Sequence, residues 1–284
     1  MTVSRYIFLF AASLLAVNSL AAERHCKRVV SLSPAVTEMI CAIGAEQMLV
    51  GRSRLCDHPA ETVKNIPVAG GLGTPDVEKI ITLQADIVIC DIFPPGAAWN
   101  KLEKAGIKVC RLESGTLSTY RNNVMTVGRM LGKEREAASE VKRFFDRLSE
   151  CRKNTPASKI SVLILLGINP LVSCNKYTFT DEVATLAGLH NIARETDQKY
   201  FVISKEYVVV RDPQIVLAAG IPGNVRTVLR ETFAWKNLQF MKNNAIIDTI
   251  SPELLCRLSP RTPDAVMLLQ KEIEKMIRRK GGVK

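Results

Sequence analysis

The stretch from Lys133 to Lys153 constrains the fold more than any other. It reads KEREAASEVKRFFDRLSECRK, with neither Gly nor Pro. Ala137, Val141, Phe144, Phe145 and Leu148 recur at helical spacing and the other faces are charged, which predicts one amphipathic helix. At that length it spans roughly 30 Å. On each side of it, short apolar runs alternate with helical patterns. Two arrangements satisfy this order. The helix is a strut between two α/β lobes with a cleft between them, or it is a surface helix of one large α/β domain.

In the first half, KRVVSLS (27–33), MLVGRS (48–53), ADIVICD (85–91) and IKVCRL (107–112) read as strands. ADIVICD is a continuous apolar run, as expected of a strand covered on both faces. SPAVTEMICAIGA reads as a helix with Ser33 as N-cap, Pro34 in the first turn and Gly44 as its stop. GGLGTP lacks the Lys-Ser/Thr of a phosphate loop and does not complete GxGxxG. It reads as a turn into a second helix, with Thr74 capping and Pro75 after it. AAWNKLEKAG and TLSTYRNNVMTVGRMLG are further helices, the latter ending at Gly132.

After Lys153 the pattern restarts. KISVLILLG (159–167), PQIVLAAG and AIIDTI read as strands, TDEVATLAG and SPRTPDAVMLLQKEIEKMIRRK as helices. INPLVSCNKYTF and SPELLCRL read as loops, and Asn191 to Lys205 as a polar stretch. Strands alternating with helices imply parallel pairing and right-handed crossovers. Ligands of such sheets bind outside the carboxyl ends of the strands. The loops to watch are therefore 54–60, 91–98, 168–178 and 251–258.

The N-terminus reads as a leader. Arg5 precedes an apolar run, Tyr6 to Val17, and then Ser19-Leu20-Ala21-Ala22, the order of a secretory signal. The run is too short to span a bilayer. Cleavage after Ala21 or Ala22 is expected, making residues 1–22 the signal peptide. Cys26 stands behind Glu23-Arg24-His25, so a lipid anchor at a new N-terminal cysteine is not expected. Loss of Arg5 lowers the net charge of +11 by one. Lys and Arg are scattered, and export argues against nucleic acid, so the charge reads as a basic solvated surface.

All eight cysteines follow the leader, and an exported chain can pair them. In a βα unit the helix runs antiparallel to its strand. Cys26 before the first strand and Cys41 in the last turn of the next helix then meet at the closed end of the lobe. A Cys26–Cys41 bridge is expected there, worth roughly 3 kcal/mol in the chain-entropy picture. Cys56, Cys90, Cys174 and Cys256 fall at the mouth. They read as one local disulfide per lobe, or as a soft metal site or thiolate contacts to a ligand. Cys110 and Cys151 are expected free and buried.

No catalytic constellation is visible. The three His, His25, His58 and His190, form neither HxxxH nor HExxH, so an imidazole-built zinc site is not expected. His58 reads as a ligand or as a loop residue bonded to backbone. Cys56 near His58 could serve a cysteine nucleophile only with a third, orienting group.

Several motifs then resemble a known family: RVVSLSPAVTEMICAIGA, CDHPAE, VAGGLGTPDVEKIITLQADIVI, GINPLVSCNKYTFTDEVATLAGLHNI and LSPR. In that order, around a lone backbone helix, they resemble the helical-backbone (class III) periplasmic binding proteins. These are substrate-binding subunits of ABC importers for cobalamin, ferric siderophores and haem. The likeness runs from Lys27 to Ile277 and is strongest to the cobalamin-binding branch.

The resemblance implies an α/β fold of two Rossmann-like lobes with parallel sheets, joined by one long helix, with the ligand cleft between them. The expected divisions are a 23–132 lobe, a 133–154 backbone helix and a 155–284 lobe. It implies a monomeric periplasmic protein, no enzyme and without a cofactor of its own, that carries a metal chelate to an inner-membrane permease. A corrinoid is the first candidate cargo, and a ferric siderophore or haem the alternative. A metal-ion chaperone using the mouth cysteines and an exported cysteine-dependent enzyme are the readings outside the family.

The family pattern implies ligand contacts at Ala35, Leu55, Cys56, Leu72, Asp91, Val172, Tyr200, Glu253 and Arg257. Tyr200 falls near an aromatic cleft position, and Glu253 and Arg257 match an acidic and a basic position on the far wall. Leu55, Asp91 and Val172 stand where the cobalamin branch carries aromatic rings, and Gly71-Leu72 replaces a tryptophan. Glu78 in DVEKI and Glu206 in SKEY match the glutamates that dock onto permease arginines. As isolated residues they read as carboxylates favoured at helix starts.

Overall fold

The computed structural model describes residues 25–155, 160–221, 225–231 and 235–281. The expected leader, 1–22, lies outside them. The first lobe runs β1 (Val29–Ser31), α1 (Pro34–Ala42), β2 (Leu49–Ser53), α2 (Ala60–Val63), β3 (Val68–Gly71) and β4 (Thr74–Pro75). It continues through α3 (Val77–Thr82), β5 (Ile87–Cys90), α4 (Ala98–Lys104), β6 (Lys108–Arg111) and α5 (Leu117–Leu131). The long helix is α6 (Glu134–Lys153). Beyond it lie β7 (Ile160–Leu165), β8 (Gly167–Ile168), β9 (Leu171–Cys174), α7 (Phe179–Leu186), β10 (Leu189–Asn191), β11 (Tyr200–Val202) and α8 (Lys205–Arg211). The chain ends with β12 (Ile215–Ala218), α9 (Val225–Glu231), α10 (Gln239–Lys242), β13 (Ile246–Ile247), α11 (Pro252–Cys256) and α12 (Thr262–Gly281).

The first sheet has the order β4-β3-β2-β1-β5-β6, parallel except for β4. Strand order reverses at β1, which pairs with β2 on one side and β5 on the other. That reversal opens a crevice at the carboxyl ends of β1 and β5. Alternation along the strands builds two apolar layers. Val30, Val88 and Cys90 pack with Ile80, Trp99 and Leu102 on one face. Val29, Ile87 and Ile89 face the other way, into a core shared with α1, α5, α6 and the second lobe.

The second lobe has a parallel sheet, β10-β7-β12-β13, and a small antiparallel sheet, β11-β9-β8. The chain is thus an α/β protein of two lobes with parallel sheets, as the motifs imply.

Helix α6 joins the lobes and packs on both. Its Phe144 ring stacks on Tyr120 of α5, centroids 3.7 Å apart. Tyr120 Oη donates to buried Glu140 Oε1 at 2.8 Å, and Arg143 pairs with Glu140. Towards the second lobe, Arg147 meets Asp264 at 2.6 Å and Gln270 Nε2 donates to the Cys151 carbonyl at 2.8 Å. Burying Phe144 and Leu148 contributes roughly 1.5–3 kcal/mol each. The helix is therefore half-embedded between α5 and α12.

Four local expectations are corrected. Thr74 and Pro75 do not open a helix, because they pair back antiparallel onto Gly70 and Gly71. The cap falls to Asp76, whose carboxylate accepts from Lys79 N at 3.0 Å. The 168–178 loop is largely the β8–β9 hairpin, extended by β11. SPELLCRL contains the short helix α11, opened by Pro252 at its first position. The Cys26–Cys41 bridge is absent, and both thiols are free. Cys26 is buried beside Cys110, with its N–H bonded to Met130 O of α5 at 2.9 Å. Cys41 lies half-buried on α1 near Glu46, Glu38 and Cys56. Cys110 and Cys151 are free and buried.

Candidate functional site

The lobes face each other across a cavity of about 310 Å³. Its first wall is built where strands of the first sheet end. Ser33, Pro34 and Ala35 follow β1, Leu55 follows β2, Leu72 follows β3, Asp91 and Ile92 follow β5, and Glu113 to Gly115 follow β6. Phe179 and Thr180 at the start of α7, Tyr200 of β11, Cys256 at the end of α11, and Arg257 and Leu258 after it form the opposite wall.

Local sequence explains the placements. The Arg52 guanidinium donates to the carbonyls of Val63 (2.7 Å), Ile66 (3.1 Å), Ser53 (3.1 Å) and Cys56 (3.3 Å). It thereby folds 53–66 into one unit that presents Leu55. Gly73 is required by crowding: at φ +61 it lies where a Cβ would stand 2.3 Å from the Ile92 carbonyl oxygen, so the turn after β3 nests against the one after β5. Asn123 and Glu113 exchange two hydrogen bonds, at 2.8 and 3.2 Å, and fix the loop after β6.

The lobes are tied beside the cavity. Glu38 of α1, with its side chain only 2% exposed, accepts two hydrogen bonds from Arg261, at 2.6 and 2.8 Å. Arg257 Nη1 meets Asp57 at 2.5 Å and stands 3.9 Å from Glu38. A third tie joins Leu117 N of α5 to Glu182 of α7 at 2.5 Å.

Charge states follow from these surroundings. Partial burial pushes the Asp57 carboxyl up, but the hydrogen bond and charge of Arg257 outweigh it and hold it below the usual range. Burial raises the Asp91 carboxyl, although Ser33 bonds it, and Oδ1 of Asp91 is buried without a hydrogen-bond partner. Burial also raises Tyr200 and pushes the Cys256 thiol up to about 11 and Cys90 to about 12. The wall is a set of acids, a phenol, a thiol and one guanidinium in an apolar frame.

Of the positions implied by the motifs, Ala35, Leu55, Leu72, Asp91, Tyr200 and Arg257 line the cavity. Three do not. Cys56 is buried behind Leu55, its sulfur 3.1 Å from Thr37 Oγ1. Val172 is held in β9, paired with Val202. Glu253 sits in the first turn of α11, outside the lining. The motifs do not imply Glu113 to Gly115 or Phe179–Thr180, which also line the cavity. The strand-end rule points to the first group, which leaves the carboxyl end of the strand IKVCRL. A larger cavity, about 650 Å³, involves His25, Cys26 and Lys108. It lies by the amino ends of β5 and β6, the wrong end for a ligand of this sheet.

Among the described residues no group of three or more His, Cys, Asp or Glu is placed to hold a metal ion, and no helix is long and apolar enough to cross a membrane. Glu78 and Glu206 lie exposed in the first turns of α3 and α8.

Residues 29–252 match the periplasmic binding protein family. The chain belongs to that family. A vitamin B12-binding protein of Vibrio parahaemolyticus is 25% identical over 280 residues, covering 97% of this chain and 98% of the relative. One of Pectobacterium carotovorum is 27% identical over 206 residues, covering 71% and 74%. Among solved structures, the apo periplasmic haem-binding protein RhuT of Roseiflexus sp. RS-1 superposes with a TM-score of 0.79 at 21% identity, covering 88% of this chain and 98% of that one. The vitamin B12-binding protein BtuF of Vibrio cholerae gives 0.73 at 23% identity, with the same coverage. These superpositions establish the shared two-lobe fold.

Proposed function

We propose that the chain is the periplasmic substrate-binding protein of an ABC importer, exported by a cleaved leader, that captures a metal chelate and hands it to an inner-membrane permease. The cargo is a corrinoid. The observation that carries this reading is the pairing of an interlobe cavity at the carboxyl ends of the first sheet with end-to-end likeness to vitamin B12-binding proteins. The lining offers apolar contact from Leu55, Leu72, Ile92 and Phe179, and orienting polar groups at Asp91, Tyr200 and Arg257. Such a site captures by shape and a few polar contacts, without chemistry on its cargo. At about 310 Å³ it is small for a macrocycle, so a corrin would fill it and extend through its mouth.

Docking onto the permease falls to Glu78 and Glu206. Both lie exposed in the first turns of their helices, one on each lobe, neither is in an ion pair among the described residues, and each has exposed apolar neighbours. Ile81 is 48% exposed near Glu78, and Val210 82% near Glu206. An acid with an apolar fringe on each lobe suits a basic, apolar-rimmed partner.

The test is calorimetry with cyanocobalamin, cobinamide and haem, together with the absorption spectrum and mass of whatever copurifies. A corrinoid dissociation constant below about 1 μM is expected, on the order of −8 kcal/mol. Heat with haem or a ferric chelate and none with either corrinoid overturns the cargo assignment.

A further inference from the structure

The first lobe carries a second hollow outside the cleft, of about 350 Å³. Arg54, Gly70, Gly71, Thr74 and Asp76 are among the residues that line it. It stands at the same end of the sheet as the cargo site. Arg54 follows the last residue of β2, and Gly71 ends β3. The next residue after each, Leu55 and Leu72, lines the cleft. At two places, therefore, the hollow and the cleft are lined by adjacent residues. Arg54 N donates to the Gly70 carbonyl at 3.0 Å, which fixes Arg54 beside β3. A Cβ on Gly71 would stand 2.4 Å from Thr74 Oγ1 and 2.9 Å from Arg54 Nη2. Because Gly71 has none, a guanidinium and a hydroxyl converge on one point of the backbone.

Among the described residues Arg54 makes no ion pair, and its side chain makes no hydrogen bond. The acid in the hollow, Asp76, is turned to the backbone, where it accepts from Lys79 N at 3.0 Å. A planar fork of donors beside a hydroxyl, with no counter-ion, suits an anionic oxygen group. The cleft offers such a group nothing comparable. Its charged lining is Asp91, Glu113 and Arg257, and Arg257 is already engaged by Asp57. An anion carried by the cargo is therefore opposed inside the cleft and met by a free guanidinium just outside it.

We propose that Arg54, with Thr74, receives the phosphodiester of a corrinoid that carries its nucleotide tail. The inference rests on the corrinoid reading above and narrows it to complete, nucleotide-bearing corrinoids over cobinamides, which end before the phosphate. The ring fills the cleft and extends through its mouth. The tail passes Leu55 and Leu72, and its phosphate meets the guanidinium beyond them. The contact is charge-assisted but solvent-exposed, so it discriminates between corrinoids more than it adds affinity. A haem propionate presents the same anionic oxygen chemistry, and titration with haem separates the two sources.

The experiment is calorimetric titration of the purified protein with cyanocobalamin, dicyanocobinamide and haem, for the natural sequence, R54A and R54K, at low and high sodium chloride. R54A should lose about 3- to 10-fold in cyanocobalamin affinity and bind dicyanocobinamide as the natural sequence does. R54K keeps the charge without the fork, so its loss should be smaller. High salt should weaken cyanocobalamin binding by the natural sequence and leave R54A unaffected, because the screened pair is already gone. Arg54 is exposed, so thermal melts of R54A and the natural sequence should coincide. R54A that binds cyanocobalamin with unaltered affinity, or that loses both corrinoids equally, overturns the role of Arg54 and leaves the corrinoid reading standing. A natural sequence that binds haem and neither corrinoid overturns the cargo assignment and the phosphodiester together.

Discussion

Glu38 and Arg261 stand on opposite lobes and meet through two hydrogen bonds, at 2.6 and 2.8 Å. The carboxylate lies on α1, directly behind the cavity wall, and the guanidinium just before α12. Arg257, four residues earlier, reaches Asp57 on the first lobe as well. The lobes are therefore fastened by ion pairs that flank the cargo site, in addition to α6.

The first prediction concerns this fastening. Removing one partner strands the other charge where water is scarce, which typically costs 3–5 kcal/mol for a fully buried pair. Arg261 is partly exposed, so E38A should cost less, about 2–3 kcal/mol. The double change E38M/R261M should cost less than E38A alone, because no orphan charge remains. Chemical denaturation of the three variants measures both. A double variant less stable than the single one would show that the pair itself, and not its desolvation, dominates.

A second prediction follows from the raised Asp91 carboxyl. A carboxyl whose folded pKa exceeds its unfolded value binds more protons when folded. It therefore detracts from stability as pH rises through the folded pKa. D91N should stabilise the empty protein at pH 7, by about 1 kcal/mol, with the advantage fading as pH falls towards 4. Thermal melts of both forms across that range decide the matter. Equal melting temperatures at pH 7 would mean that the oxygen carries no penalty. Asp57 runs the other way. Its lowered carboxyl contributes stability at neutral pH that is lost as acid protonates it, by a small amount because the side chain is about half exposed.

Much of the frame was legible because parallel α/β units write themselves in the chain. Continuous apolar runs such as 87–90, Ser-Pro helix starts and the Gly132 stop are local signals with local causes. What escaped was pairing over short backbone segments. Thr74-Pro75 looks like a cap, and only its partners Gly70 and Gly71 make it a strand. The hairpin 167–174 has weak alternation and depends on Tyr200–Val202, which sits in a polar stretch. In the site, the motif positions near β1, β2, β3 and β5 reach the cavity because strand ends are fixed by the sheet. Val172 and Cys56 do not, since which way a residue points depends on strand pairing and on a loop pinned by Arg52. The Cys26–Cys41 expectation treated helix and strand ends as meeting. The side chains diverge, Cys26 towards Cys110 and Cys41 towards Cys56.

A third prediction concerns docking. E78R/E206R should abolish importer-dependent uptake in cells and leave cargo affinity within about twofold, since surface changes away from a site act within about 0.5 kcal/mol. Both residues lie outside the cavity lining. Uptake assays paired with calorimetry separate the two effects. Normal uptake by the double reversal removes these residues from the permease contact.

The last prediction uses the thiols as reporters of the cleft. All eight cysteines are free, and Cys256 is the exposed one that also lines the cavity. Although the residue is exposed, its sulfur packs against the Ala219 carbonyl at 3.2 Å, and this desolvation holds the thiol pKa at about 11 even with Arg257 beside it favouring the thiolate. Alkylation proceeds through the thiolate. At pH 7 only a minute fraction of Cys256 is therefore reactive, and its rate should climb about tenfold per pH unit until the thiol ionises. Cys90, held at about 12 and fully buried, should lag behind at every pH. Saturating cyanocobalamin should protect Cys256, because the cargo would cover it. Iodoacetamide labelling from pH 7 to pH 10, with and without the corrinoid and read by peptide mass mapping, gives all three quantities. Cys256 labelling that is already fast at pH 7 would contradict its raised pKa. A rate unaffected by the corrinoid would place the cargo elsewhere than between Tyr200, Cys256 and the first-lobe wall.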